Sequence, residues 1–251
     1  MTARKLPTKL RIEPLIDVVC GVQFSSNVPA EVLLPGLLLT KLVGKEPKFE
    51  TLPAAQLPQI VRDNDPNLQN APLMRVVVDE KFTILIGSKG LAVGCQMPYA
   101  GWAAFKEMIQ TVFEVLEQAP FIVSVERYSL KYVDFFKSQG AIETLSRFKL
   151  RIEIGGRTLS DQATQVRTEI VEPPFLHAIT ILSPATVNQP GRQSGTGAIL
   201  DVDTHRLEKF EIKAFLERLP QFLDEIHLAN KTVFFDLLSE AGLTELDPQY
   251  D

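Results

Sequence analysis

The sequence is poor in cysteine: its 251 residues hold two, Cys20 and Cys95. Two cysteines cannot build the disulfide framework of a small secreted protein. Both lie in apolar runs, VVCGVQF and LAVGCQM, with no adjacent histidine or basic cluster to activate a thiol, so buried, reduced side chains are expected. No apolar run is long enough to cross a bilayer. The most apolar stretch, residues 32–43, is broken by Pro35, Gly36 and Lys41. The opening MTARKLPTKLRIEPL is basic but lacks the apolar core of a leader. A reduced cytosol is the expected location, with no membrane partner.

Excess basic charge is also missing. Lys and Arg total 26 against 31 Asp and Glu, a net charge of −5, which argues against a general nucleic-acid binder. The one local basic cluster, Arg4, Lys5, Lys9 and Arg11, reads as a solvated tail. Nucleotide and nucleophile motifs are lacking too. The glycines of QPGRQSGTG (Gly191, Gly195 and Gly197) are followed by no Gly-Lys-Ser/Thr and depart from the dinucleotide spacing; a mobile hairpin loop fits them better. Ser88 and Ser194 do not occupy the Gly-x-Ser-x-Gly turn of a nucleophile elbow. No cofactor and no metal site is expected.

What is present is ordinary globular composition, 45% hydrophobic and 23% charged. Residues 16–24, IDVVCGVQF, alternate as a strand with Val18, Cys20, Val22 and Phe24 on one face. Pro29 opens a Leu-rich helix to about residue 43. Residues 45–72 carry five prolines and read as an irregular excursion with one short strand, in which Asp63 and Asp65 are solvated turn residues. MRVVVD, FTILI and LAVGCQM follow as three strands joined by short hairpins. Residues 99–117 read as a helix with Trp102, Phe105, Ile109, Val112, Phe113 and Leu116 on one face, Trp102 substantially buried.

The order then recurs. Residues 122–136 form a long strand, and 141–148 a short helix. Strands follow at 150–154, 165–171, 176–182 and 198–203. A final helical region carries an apolar stripe from Ile212 to Leu237, with a kink or a junction of two helices expected at Pro220. The fold expected is α+β: an antiparallel sheet, or sheets, with helices on one face. Two pseudo-repeats of strand–helix–strands–helix, residues 1–119 and 120–251, make up one compact unit. Its element order is that of saddle-like sheets such as the TATA-binding protein, an analogy that carries no function.

Several segments taken together carry a family resemblance. These are Pro14-Leu15 before IDVVCGVQF, Trp102 and Phe105 opening a helix, ERYSLKYVDFF at 126–136, and ILDVDTH with LPQFLDEIHLANKTVFFDLL. In them the chain resembles, over nearly its whole length, a sporadically distributed prokaryotic family of about 250 residues whose members are uncharacterised. The resemblance brings no catalytic residue. The patchy distribution implies accessory roles, such as partnerships in toxin–antitoxin or defence systems.

Candidate binding residues come from three places. Glu126, Arg127, Tyr128, Lys131 and Tyr132, with Asp134, punctuate the long strand and either line a ligand-facing sheet surface or form cross-strand ion pairs on a solvated one. Asp201, Asp203 and His205 alternate along one strand, so all three share a face. They are a metal or general-base set on one reading, and turn and capping residues on the other. His177 and His227 are not brought to His205 by any spacing. Phe234, Phe235 and Leu238 widen the apolar sector of the last helix, which is expected to stay partly exposed and to contact a second copy or another protein.

The leading function is a non-enzymatic module that binds a protein partner or forms a homodimer. The second is a nucleic-acid binder using a curved sheet face with Arg75, Arg127, Lys131 and Arg167. The third is an enzyme of unfamiliar type centred on Asp201, Asp203 and His205 in a deep pocket.

Overall fold

The computed structural model describes residues 5–66, 68–138, 145–159, 162–188 and 195–250. The order of elements is β1 (Lys9–Leu10), β2 (Leu15–Ser26), α1 (Ala30–Lys41), β3 (Lys48–Thr51), α2 (Gln59–Asn64), β4 (Met74–Val78), β5 (Phe82–Gly87), β6 (Gly90–Cys95), α3 (Trp102–Phe113) and β7 (Ile122–Lys137). It continues with β8 (Ile152–Ile154), β9 (Arg157–Leu159), β10 (Thr164–Glu172), β11 (Phe175–Val187), β12 (Gly195–Arg206), β13 (Phe210–Glu211), α4 (Ile212–Leu237), α5 (Glu240–Glu245) and β14 (Pro248–Gln249). The protein is thus mixed α+β, with ten strands in a large antiparallel sheet. None of its described helices is long and apolar enough to cross a membrane.

The chain divides into two compact units, each assembled from separated segments. Unit I comprises Met1–Ile16, Lys131–Thr204 and His227–Asp251; unit II comprises Asp17–Leu130 and His205–Ile226.

In unit II the strand order is β7, β2, β6, β5, β4, β3, with β13 added to β7. Every second residue of β2 (Val18, Cys20, Val22 and Phe24) is buried, as the alternation requires. Ile84 and Ile86 of β5 and Val93 of β6 continue that core. α3 buries Phe105, Met108, Ile109, Val112 and Phe113. Its start is set by Gly101, whose φ of 87° lies in the left-handed region that favours glycine. Trp102 is half-buried, and its indole N–H lies 3.4 Å from an Asp224 carboxylate oxygen. At the first position of α3 it sits at the margin of the apolar face, and the ring meets Phe105 edge-on.

In unit I the sheet runs β10, β11, β12 and then the end of β7. Its core joins Phe136, Ile179, Ile181, Ala198, Leu200 and Val202 of the strands to Phe234, Phe235 and Leu238 at the end of α4. Gly197 of β12 is held to glycine by space: a Cβ there would collide with the backbone carbonyl oxygen of Phe136. Gly197→Ala must push two strands apart and should lower stability by about 1–3 kcal/mol, read as a fall in melting temperature; an unchanged melting curve would contradict the close approach.

Several sequence expectations change. Within residues 45–72 there is a helical segment, α2, and Asp63 belongs to it rather than to a loop. The long helix expected over 99–117 is α3 followed by a 3-10 turn, Glu114–Gln118. α4 passes through Pro220 as one helix; Pro220 is exposed, so water can serve the carbonyl that loses its intrahelical donor. Of the short helix expected over 141–148, residues 141–144 lie outside the described residues, and Leu145–Arg147 form a 3-10 turn. The hairpin loop of Gly191 and Ser194, and Arg4 of the basic cluster, also lie outside them. Arg11 pairs with Asp247 at 3.3 Å.

Candidate functional site

The strand residues singled out in β7 and β12 fall into separate local sets. In unit II the in–out alternation of β7 breaks at Glu126 and Arg127, which are both half-buried. Glu126 accepts from Ser124 Oγ at 2.6 Å and meets Lys209 Nζ at 3.1 Å. Those two contacts hold its carboxyl below the usual range, the Ser124 bond contributing most. Arg127 donates through its guanidinium to the ring of His205. Arginine has no acceptor, so the His205 nitrogen facing it is the unprotonated one.

In unit I, Lys131 Nζ lies 2.7 Å from Asp201 Oδ2. Asp134 is 5% exposed. Burial, with a smaller push from the Asp201 charge, raises its carboxyl to about 8. A carboxylic acid held neutral at pH 7 is a plain consequence of such a site. Asp203 is half-buried on the same strand. Asp201 and Asp203 are half-buried on either side of buried Val202, whereas the alternation breaks at Thr204 and His205, both buried; Asp201 is engaged by Lys131 and, in unit II, His205 by Arg127. Among the described residues no three His, Cys, Asp or Glu side chains are grouped so as to hold a metal ion.

Of the aromatic candidates, Tyr128, Phe234 and Phe235 are core and Tyr132 is half-buried. Tyr128 is buried in unit II among Phe210, Phe215 and Phe222, stacked on Phe222 with centroids 5.3 Å apart. Burial pushes its phenol up to about 12, against the charge and side-chain hydrogen bond of the Arg206 guanidinium. In unit I, Tyr132 meets the His227 ring at 6.2 Å. Phe234, Phe235 and Leu238 are buried, so the exposed sector expected on the last helix is not there. That helix is wide in apolar residues because unit I packs on it, with Phe148, Leu145 and Leu243 covering the flank open in the sequence reading.

A buried polar network went unread in the sequence. Asn230 of α4 donates to the Val202 carbonyl at 2.9 Å and to Thr204 Oγ1 at 3.0 Å. Thr204 Oγ1 lies 2.9 Å from His177 Nδ1. The other ring nitrogen, Nε2, lies 3.8 Å from Glu172 Oε2. Burial keeps His177 below the usual imidazole range, only partly offset by Glu172. Thr204 is fully buried, so this chain of bonds fastens α4 to β12 and β11.

Two further features lie in unit II. A cavity of about 390 Å³ is lined by polar side chains, among them Asn27, Gln59, Asp63, Asn70 and Lys89, and by none of Asp201, Asp203 or His205. The second is the outer face of α1. The helix buries Ala30, Leu34 and Leu38, yet its opposite side is also apolar. Val32 is 68% exposed, Leu33 45%, Leu39 50%, and Val43 in the following turn 82%. A helix apolar all round is normally enclosed; α1 is enclosed on one side.

The sequence matches no model of a known protein family, and comparison with characterised proteins finds no match.

Proposed function

We propose that this protein is a non-enzymatic protein-interaction module whose contact surface is the outer face of α1. The observation that carries this is the exposure of Val32, Leu33 and Leu39 on one helix, with Val43 in the turn that follows it. Together they amount to roughly 400 Å² of apolar surface, the size of patch that on a monomer is often functional. Membership of the sporadic prokaryotic family, action in the cytosol, and an accessory part in a toxin–antitoxin or defence system belong to the same proposal. So does a doubled strand–helix–strands–helix plan with saddle-like element order. Sheet order supports the doubling: β6, β5 and β4 follow outward from β2, as β12, β11 and β10 do from β7.

Nucleic-acid binding through the sheet gains no support from the cations proposed for it. Arg75 is paired with Glu50, Lys131 with Asp201 and Arg167 with Glu169, while Arg127 is spent on His205. Phosphate contact would require breaking those pairs.

The test is affinity capture of the tagged chain from its native host, with and without nuclease treatment, comparing wild type with Leu39→Glu and with Leu228→Glu, an exposed control on α4. A protein held by wild type and Leu228→Glu should be depleted at least tenfold with Leu39→Glu. An identical set held by all three would overturn the assignment of the surface, and recovery of nucleic acid alone would overturn the function.

A further inference from the structure

We propose that the outer face of α1 docks a second copy of this chain, the two helices antiparallel about a twofold axis with Leu39 of each over Gly36 of the other. This rests on the reading of α1 as a contact surface and names its occupant.

The face has no polar demand for a partner to meet. Its flanking charges are engaged inside the protomer: Glu31 accepts from Ser88 Oγ at 3.0 Å, Lys41 meets Glu114 at 3.2 Å and Lys45 meets Asp79 at 3.0 Å. The Thr40 hydroxyl donates to the Leu37 carbonyl at 2.7 Å. What remains is apolar surface with one gap. A Cβ at Gly36 would meet nothing within 4 Å, so a shallow notch opens at the middle of the face, beside the protruding Leu39.

The spacing makes the face complementary to itself. Val32, Gly36 and Leu39 of the helix and Val43 of the turn that follows it stand in steps of four, three and four residues, the step pattern of a helix-pairing seam. Turned end to end about a point between residues 36 and 39, the seam sets Val32 against Val43 and Leu39 against Gly36. Each copy then offers a knob where the other has its notch, the isologous contact of a twofold dimer. Antiparallel helices also place opposite dipole ends together.

Area sets the strength. Two such faces hide about 800 Å² of apolar surface before any rim is counted, short of the roughly 1,200–2,000 Å² of stable interfaces and in the range of transient ones. The dimer is therefore weak and concentration-dependent.

Sedimentation velocity of the full chain over about 10 μM to 1 mM should show the coefficient rising toward that of a dimer. Leu39→Glu should raise the dissociation constant at least tenfold, and Leu228→Glu should leave it unchanged. If Leu39→Glu loses its circular dichroism spectrum, Val43→Glu, outside the helix and largely exposed, takes its place with the same expectation. Gly36→Cys with Leu39→Cys in one chain should cross-link as a dimer under mild oxidation, since native Cys20 and Cys95 are buried. A wild type monomeric throughout, or a dimer indifferent to Leu39→Glu and Val43→Glu, would overturn the proposal. So would cross-linking of the Leu39→Cys single variant in preference to the double one, which means parallel helices. A monomeric wild type that still loses a captured host protein on Leu39→Glu would remove the self-pairing and leave the interaction function standing.

Discussion

Replacing Phe222 with alanine should lower the free energy of unfolding by about 3–5 kcal/mol, the largest loss expected from any single truncation in unit II. Phe222 is fully buried and central to an aromatic group, with ring centroids 5.3 Å from Tyr128, 5.0 Å from Phe210 and 5.9 Å from Phe215. Two cations lie over its faces, Arg206 at 5.2 Å and Arg218 at 4.4 Å, and such contacts add to the transfer term. The remaining three rings cannot close the space without leaving their own contacts, so a cavity persists and its cost is added. Trp102→Ala should cost distinctly less, because that ring is half-buried and its N–H can be replaced by water at the surface. Urea denaturation of the two variants measures the difference. Equal losses, or a larger one for Trp102→Ala, would show that the aromatic group is not the anchor of unit II.

The ranking of these two residues shows where sequence reading succeeds and where it stops. Period-two alternation in IDVVCGVQF and period-3.6 spacing in the helix around Phe105 reported burial directly, because each is a local consequence of backbone geometry. Trp102, on that same face by spacing, keeps part of its ring at the surface because it stands at the first position of its helix. Phe234 and Phe235 were expected to stay partly exposed and are buried. Their coverage comes from Leu145, Phe148 and Leu243, contacts set by tertiary structure and invisible to a helical wheel. The partners that engage Asp201 and His205, Lys131 and Arg127, come from a strand some seventy residues earlier, which no spacing within the candidate strand could report. The α1 face was visible as composition. Only its exposure, which depends on what fails to pack there, separates a contact surface from core.

Asp134→Asn should stabilise the protein near pH 8 by a few kcal/mol and leave stability near pH 4 unchanged. Asp134 lies within the apolar run YVDFF. Burial first, then the Asp201 charge, raises its carboxyl from 3.8 to about 8 in the fold. Lys131, the neighbouring cation, is committed to Asp201 at 2.7 Å. Below about pH 4 the carboxyl is protonated in both folded and unfolded chains, and its full contribution is present. Between about pH 4 and 8 the unfolded chain releases that proton while the folded chain keeps it, so stability falls as pH rises, by at most about 1.4 kcal/mol per unit. Above 8 the fold must carry a buried carboxylate. Asparagine fills the same space without a charge to bury, so the variant lacks this slope. Other carboxylates, such as Glu126 with its lowered range, contribute slopes of the opposite sign to both proteins. The quantity to read is therefore the difference between wild type and Asp134→Asn in urea midpoints across pH 4 to 9. That difference should grow with pH and level off above about 8; parallel curves would mean that Asp134 ionises in the fold as freely as in water.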